Sequence, residues 1–137
     1  MLSVRISKTL REFRLDVSFE VNPSETLVVI GPSGCGKTTT LNVIAGLVAP
    51  DEGRIALDER PLWDSAARVD VPTEQRKIGY VFQDFALFPH MTAAENIAYG
   101  LRARRAPRKQ IGPRVNDALT LLGISNLRHR RPGALCI

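Results

Sequence analysis

Eight consecutive residues carry the most specific chemistry in this 137-residue chain: Gly31-Pro32-Ser33-Gly34-Cys35-Gly36-Lys37-Thr38 fits GxxxxGK[S/T] at every fixed position. Such a loop wraps phosphate. Successive backbone N–H groups turn inward around the anion, and glycines stand where a side chain would block that approach. Lys37 is then expected to reach the β and γ phosphates of a nucleotide, and the Thr38 hydroxyl to coordinate magnesium. Gly31, Ser33, Gly34, Cys35, Gly36 and Thr39 are expected to supply further loop contacts. Cys35 is read as a small residue that fits among the amides.

Chance explains the pattern poorly, since at background residue frequencies a random match has odds of order one in a hundred along such a chain. The flanks agree with the loop. Thr26-Leu27-Val28-Val29-Ile30 is β-branched and apolar on both faces, as a central parallel strand is expected to be, and it ends at Gly31. From Thr38 to Leu47, Leu41, Ile44, Ala45 and Val48 recur at helical spacing, with Gly46 and Pro50 as the close. A helix starting there points its dipole at the bound anion.

The other elements follow from period and punctuation. Apolar and polar residues alternate strictly over Phe13–Val21, which predicts an antiparallel strand flanking the loop. Further strands are predicted at Arg54–Leu57 and Ile78–Phe82, with a polar stretch from Trp63 to Thr73 between them. Thr92-Ala93-Ala94-Glu95 has the spacing of a capping box and predicts a helix from about Ala93 to Arg104. Pro113 is expected to open a last helix burying Val115, Ala118, Leu119 and Leu122, with Gly123 as its stop.

Composition excludes several classes. With 44% hydrophobic and 24% charged residues the chain is too apolar to be disordered. Its longest strongly apolar run is far short of the roughly 18 residues of a membrane-spanning helix, so a membrane role is expected to come through a partner. The N-terminus has no signal-type pattern, and two cysteines 101 residues apart make no disulfide framework, which fits a reducing cytoplasm. Charge is unevenly placed. Residues 96–137 carry nine basic groups and one acidic, net +8, against net −3 for residues 1–95. No aromatic follows Tyr99 to stack on bases, so the basic stretch is read as a solvated helix face, and no nucleic-acid partner is expected.

A second constellation narrows the class of nucleotide binder. Gly79-Tyr80-Val81-Phe82-Gln83-Asp84-Phe85-Ala86-Leu87-Phe88-Pro89-His90-Met91-Thr92, running on to Glu95-Asn96-Ile97, resembles the Q-loop region of the ATP-binding subunits of ABC importers. Phosphate loop, Gly46–Gly53 segment and Q-loop stand in that family's order. Asp64-Ser65, Val71-Pro72 and Leu87–His90 look most like the molybdate-type and neighbouring oxyanion importers. The resemblance implies an α/β fold: a P-loop NTPase core with an N-terminal antiparallel β flank, covering residues 1–89, and the start of a helical subdomain, covering 90–137. It implies ATP and Mg2+ as cofactors. It also implies that Gln83 touches the metal or the attacking water in a catalytic role, and that an aromatic residue before the loop stacks on adenine; Phe13 is the nearest candidate, though its place in the alternating strand suits core packing equally well, and Leu10 is the other position with which that aromatic aligns. The implied partners are a transmembrane permease and a second nucleotide-binding subunit, with the chain on the inner face of the cell membrane. The apolar loop Phe85, Leu87, Phe88 and Pro89 is either core or docking surface, and docking is favoured.

Arg130–Leu135 resembles the lead-in to the family's LSGGQ signature, with Leu135 as its first letter before Cys136-Ile137. The Walker B carboxylates and the switch histidine have no counterpart. Ile55-Ala56-Leu57-Asp58-Glu59 imitates Walker B but precedes Gln83, where the family has an antiparallel strand and turn. The expectation is a truncated domain with an incomplete sheet, which binds Mg-ATP weakly without hydrolysing it. Two rival readings remain open: a small-molecule kinase of the P-loop class, and a split fragment that only binds nucleotide or a partner.

Overall fold

The computed structural model describes residues 1–84 and 86–134, which divide into two compact units, Met1–Tyr80 and Val81–Ile137. In the first unit, β1 (Leu2–Thr9), β2 (Arg14–Val21), β3 (Glu52–Leu57), β4 (Arg60–Asp64) and β5 (Val69–Asp70) form one antiparallel sheet in the order β2-β1-β3-β4-β5. The alternation read over Phe13–Val21 becomes β2, with Val4 of β1 facing Phe19 on one side and Ile55 of β3 on the other. One face buries Val4, Ile6, Ile55, Leu62 and Trp63 against Val43 and Ile44 of α1 (Lys37–Ala45). Burying side chains of this size contributes about 1.5–3 kcal/mol each. This unit therefore has its own core.

At the end of β1, Lys8 donates to Asp51 at 2.8 Å and the Thr9 amide at 2.7 Å, which holds the Asp51 carboxyl down at about 2. The contact ties β1 to the start of β3. Ile55–Leu57 lies in β3, and Asp58, at φ 53, turns the chain into β4 and pairs with the N-terminal amine. The Walker B look-alike is thus an antiparallel strand and hairpin turn.

Several expectations are corrected. Neither Leu27–Ile30 nor Ile78–Phe82 lies in a strand; Ile30 and Val81 are each 86% exposed. A run apolar on both faces is held only between neighbours on both sides, and none of the five described strands takes that place. The segment from Trp63 to Thr73 is not merely polar: Arg60–Asp64 returns as β4, antiparallel to β3. Its apolar pair, Leu62-Trp63, is too short to announce a period.

In the second unit, α2 (Ala93–Ala103) starts where the capping box places it. Thr92 accepts from the Glu95 amide, and the Glu95 carboxylate accepts from the Thr92 amide, which lowers the Glu95 pKa. α3 (Arg108–Leu121) begins five residues before Pro113, because Pro107 sets the entry and the helix carries Pro113 within it. Its buried face is Val115 and Leu119, packed with Ala98 of α2 and flanked by Ile111 and Ile124; Leu122 is exposed. Leu122 caps the helix and has left the buried stripe, and Gly123 follows at φ 68. Among the described residues no helix is long and apolar enough to cross a membrane.

Candidate nucleotide site

The phosphate loop lies wholly in the first unit, between Leu27–Ile30 and α1. Gly34 and Gly36 take left-handed φ values of 83 and 94, which side chains rarely adopt. At Gly36 a Cβ would also stand 2.9 Å from Leu15 Cδ1, so β2 packs directly under the loop. The α1 N-terminus is bare. Its N-cap is Gly36, no side chain caps it, and its first turn holds no acidic residue. The orphan amides there and the positive end of the helix dipole suit an anion.

Lys37 folds back across the loop. Its ammonium donates to the Gly31 and Pro32 carbonyls, each at 2.7 Å, and sits 3.6 Å from Cys35 Sγ. Thr38 is exposed and its hydroxyl makes no hydrogen bond among the described residues, while Thr40 donates to the Gly36 carbonyl at 3.0 Å and stiffens the first turn. Gly34, Gly36, Lys37, Thr38 and Thr39 line a cavity of about 140 Å³. Ser33 is exposed on the same loop. A second, apolar groove of about 400 Å³ reaches the loop from the side, between Leu15, Val17 and Phe19 of β2 and Leu27–Ile30. Uncapped amides, an ammonium and an unengaged hydroxyl around a glycine cradle fit a polyphosphate with its divalent cation. Among the described residues no cluster of three or more His, Cys, Asp or Glu could hold a metal by itself.

Phe13 stands in the bend before β2, two residues from Leu15, and is 39% exposed. It is therefore outside the alternating strand and not packed in the core. Gln83 belongs to the second unit, in an exposed turn, and does not end a strand. Phe85 and Leu135 lie outside the described residues. Downstream of Gln83, Phe88 packs on Tyr99 with ring centroids 4.5 Å apart, and Asn96 clamps the loop. The Asn96 side chain accepts from the Phe88 amide and donates to the carbonyls of Phe88, Met91 and Thr92 at 2.9–3.2 Å.

Two organising residues escape sequence reading. Asn96 stands in the Glu95-Asn96-Ile97 run of the family resemblance, which assigns it no role. Arg76, 2% exposed, donates to the carbonyls of Val43 and Ile44 at the C-terminal end of α1, to Val71, and to Asp70. Gly46 makes room for it: at φ 83, its missing Cβ would stand 2.6 Å from Arg76 Nε. A lone arginine in a polar stretch does not announce burial.

Comparisons with known proteins agree with this geometry. The molybdate/tungstate import ATP-binding protein WtpC of Pyrococcus abyssi is 46% identical over 134 residues, covering 95% of this chain and 36% of the relative. The spermidine/putrescine import ATP-binding protein PotA of Vibrio cholerae is 43% identical over 95% of this chain and 33% of its own length. The trehalose/maltose import ATP-binding protein MalK of Thermococcus litoralis is 44% identical over 88% and 32%. The chain thus spans about a third of the length of these curated relatives. Among solved structures, the ABC transporter cassette MJ0796, seen as a dimer, superposes with a TM-score of 0.78 at 28% identity, over 99% of this chain and 63% of that one. The same cassette in a post-hydrolysis state bound to ADP and Pi matches equally well. The expected P-loop α/β class with an unclosed sheet therefore holds. With the family's sequence profile matching residues 15–136, the chain belongs to the ABC transporter family.

Proposed function

We infer that this chain is the nucleotide-binding part of an energy-coupling subunit that hydrolyses ATP to drive import of a small solute through a separate permease. One observation carries the reading: a glycine loop with Lys37 braced across it, opening onto the bare N-terminus of α1. Amides of residues 33–38 would hold the phosphate oxygens, with Lys37 neutralising the β and γ charge. Magnesium, which offsets phosphate charge when bound, would rest on the Thr38 hydroxyl. Phe13 would offer its exposed ring to adenine, and Gln83 would orient a water or the metal. The clamped Leu87–Pro89 loop would meet the permease, and a second nucleotide-binding subunit would face the first, as in the dimeric cassette. The subunit would then sit at the inner face of the membrane.

For the solute we favour molybdate or tungstate, on the 46% identity to the molybdate/tungstate importer subunit. Polyamine and maltose importers follow within a few per cent. Uptake of labelled solutes in cells deleted for the gene separates the three: molybdate uptake is expected to fall, with putrescine and maltose uptake intact, and the reverse would reassign the solute. For the metal, Thr38→Ala is expected to weaken Mg-ATP binding about tenfold, equivalent to ~1.4 kcal/mol. ATP binding in EDTA should be unchanged. An equal loss in both titrations would remove Thr38 from the metal.

A further inference from the structure

The second unit carries a cationic cavity that nucleotide chemistry does not use. Arg102, Ala106, Arg108, Ile111 and Gly112 enclose about 590 Å³ between α2 and α3, more than the groove beside the phosphate loop. Arg104, Arg105 and Lys109 are exposed on the same connection. Arg104 also lines, with Arg114, a neighbouring cavity of about 330 Å³. None of these six cations is in an ion pair among the described residues. The facing carboxylates are few. Asp117 is the single acid after Glu95, and Glu95 acts on Arg102 only through space while bonded to Thr92.

The placement is also wrong in sign for the empty protein. α3 opens with Arg108 and Lys109, has no capping side chain and holds no acid in its first turn, so cations sit at the positive end of the dipole. An anion in the cavity would reverse that repulsion and give two planar guanidinium forks the pairs of oxygens that phosphate offers for bidentate hydrogen bonding.

We propose that this cavity and its rim dock the phosphate headgroups of an anionic membrane leaflet. The partner choice rests on the proposed function, which holds the chain at a membrane through a permease, and on the want of any aromatic after Tyr99 for stacking nucleic-acid bases. The half-buried Ile111 in the cavity wall gives an apolar side for the glycerol end of a lipid.

Sedimentation of the full chain with vesicles tests this. Vesicles of phosphatidylcholine with one third phosphatidylglycerol are expected to bind at least tenfold more protein than phosphatidylcholine alone, with the difference lost in 0.5 M NaCl. Each cation near such a surface is worth roughly fivefold in binding. Arg102→Gln with Arg108→Gln should therefore lower binding by more than tenfold, while Arg5→Gln with Arg54→Gln on the sheet should leave it unchanged. Circular dichroism verifies that both double variants are folded. Equal binding to both vesicle types, an unchanged Arg102/Arg108 variant, tighter binding to a short RNA duplex, or release by millimolar inorganic phosphate would each overturn the proposal. Mg-ATP titration of the same samples keeps the two readings apart: nucleotide binding without vesicle binding sinks only this inference, and vesicle binding without nucleotide binding sinks only the function proposed above.

Discussion

Lys37→Ala is expected to lower Mg-ATP affinity by at least a hundredfold, measured by calorimetry on folded protein. The ammonium would make two charge-assisted hydrogen bonds to β and γ oxygens, each worth ~1.5–3 kcal/mol, and two such losses exceed two decades in Kd. The empty loop loses something too. Lys37 donates to Gly31 and Pro32 at 2.7 Å each, joining the start of the loop to the first residue of α1. Without that brace, Gly36 stays tied to Thr40, but residues 31–35 keep among the described residues the long Cys35 N–H to Pro32 carbonyl turn at 3.4 Å, so the cradle must also be ordered on binding. Lys37→Arg should not rescue. A planar fork longer than the ammonium cannot meet the two carbonyls and the phosphates from the same stem. Unchanged affinity in Lys37→Ala, with an unchanged thermal midpoint, would overturn the nucleotide reading.

What sequence reveals here follows how local each interaction is. The phosphate loop is legible because its chemistry dictates residue types at fixed spacing: Gly34 and Gly36 need positive φ, and Lys37 must start a helix. The Thr92–Glu95 box is legible for the same reason, since both partners sit within four residues. β2 is legible because one buried face imposes period two. Leu27–Ile30 is different. Its composition encodes burial between neighbours but not which neighbours, and the described sheet ends at β2 and β5 without it. Arg76 is least legible of all, because its three carbonyl partners come from residues five to thirty-three positions away. The candidate site splits the same way: the backbone geometry of the loop follows from its glycine spacing, whereas the surroundings of Gln83 and Phe13 depend on distant residues.

Arg76→Met should destabilise the first unit by about 3–5 kcal/mol. Methionine keeps much of the volume but none of the donors. Arg76 Nη1 bonds Val43 and Ile44 at 3.0 and 2.9 Å, Nε bonds Val71 at 2.8 Å, and Nη2 pairs with Asp70 at 3.2 Å. The Ile44 and Val71 carbonyls would lose their donor, whereas Val43 keeps the Gly46 amide at 3.1 Å, and a buried acceptor left unsatisfied costs ~1–3 kcal/mol. Positive charge there also complements the negative end of the helix dipole. Asp70 is largely exposed and can turn to water, so its loss adds little. Against a total stability of roughly 5–15 kcal/mol, the change removes a large share. Near the transition, each kcal/mol shifts a domain of this size by ~4–8 °C, so the midpoint should fall by more than 12 °C. The lone tryptophan, Trp63, is buried in β4 and reports the unfolding by fluorescence. Arg76→Lys should fall between, because one ammonium cannot aim donors at Val71 and the α1 carbonyls at once. Nucleotide affinity should drop with stability, since in the proposed site α1 would present its N-terminus to the phosphates while Arg76 secures its other end. A midpoint within 3 °C of wild type would mean that water or a shifted backbone satisfies those carbonyls, and that α1 is held in place by Val43 and Ile44 alone.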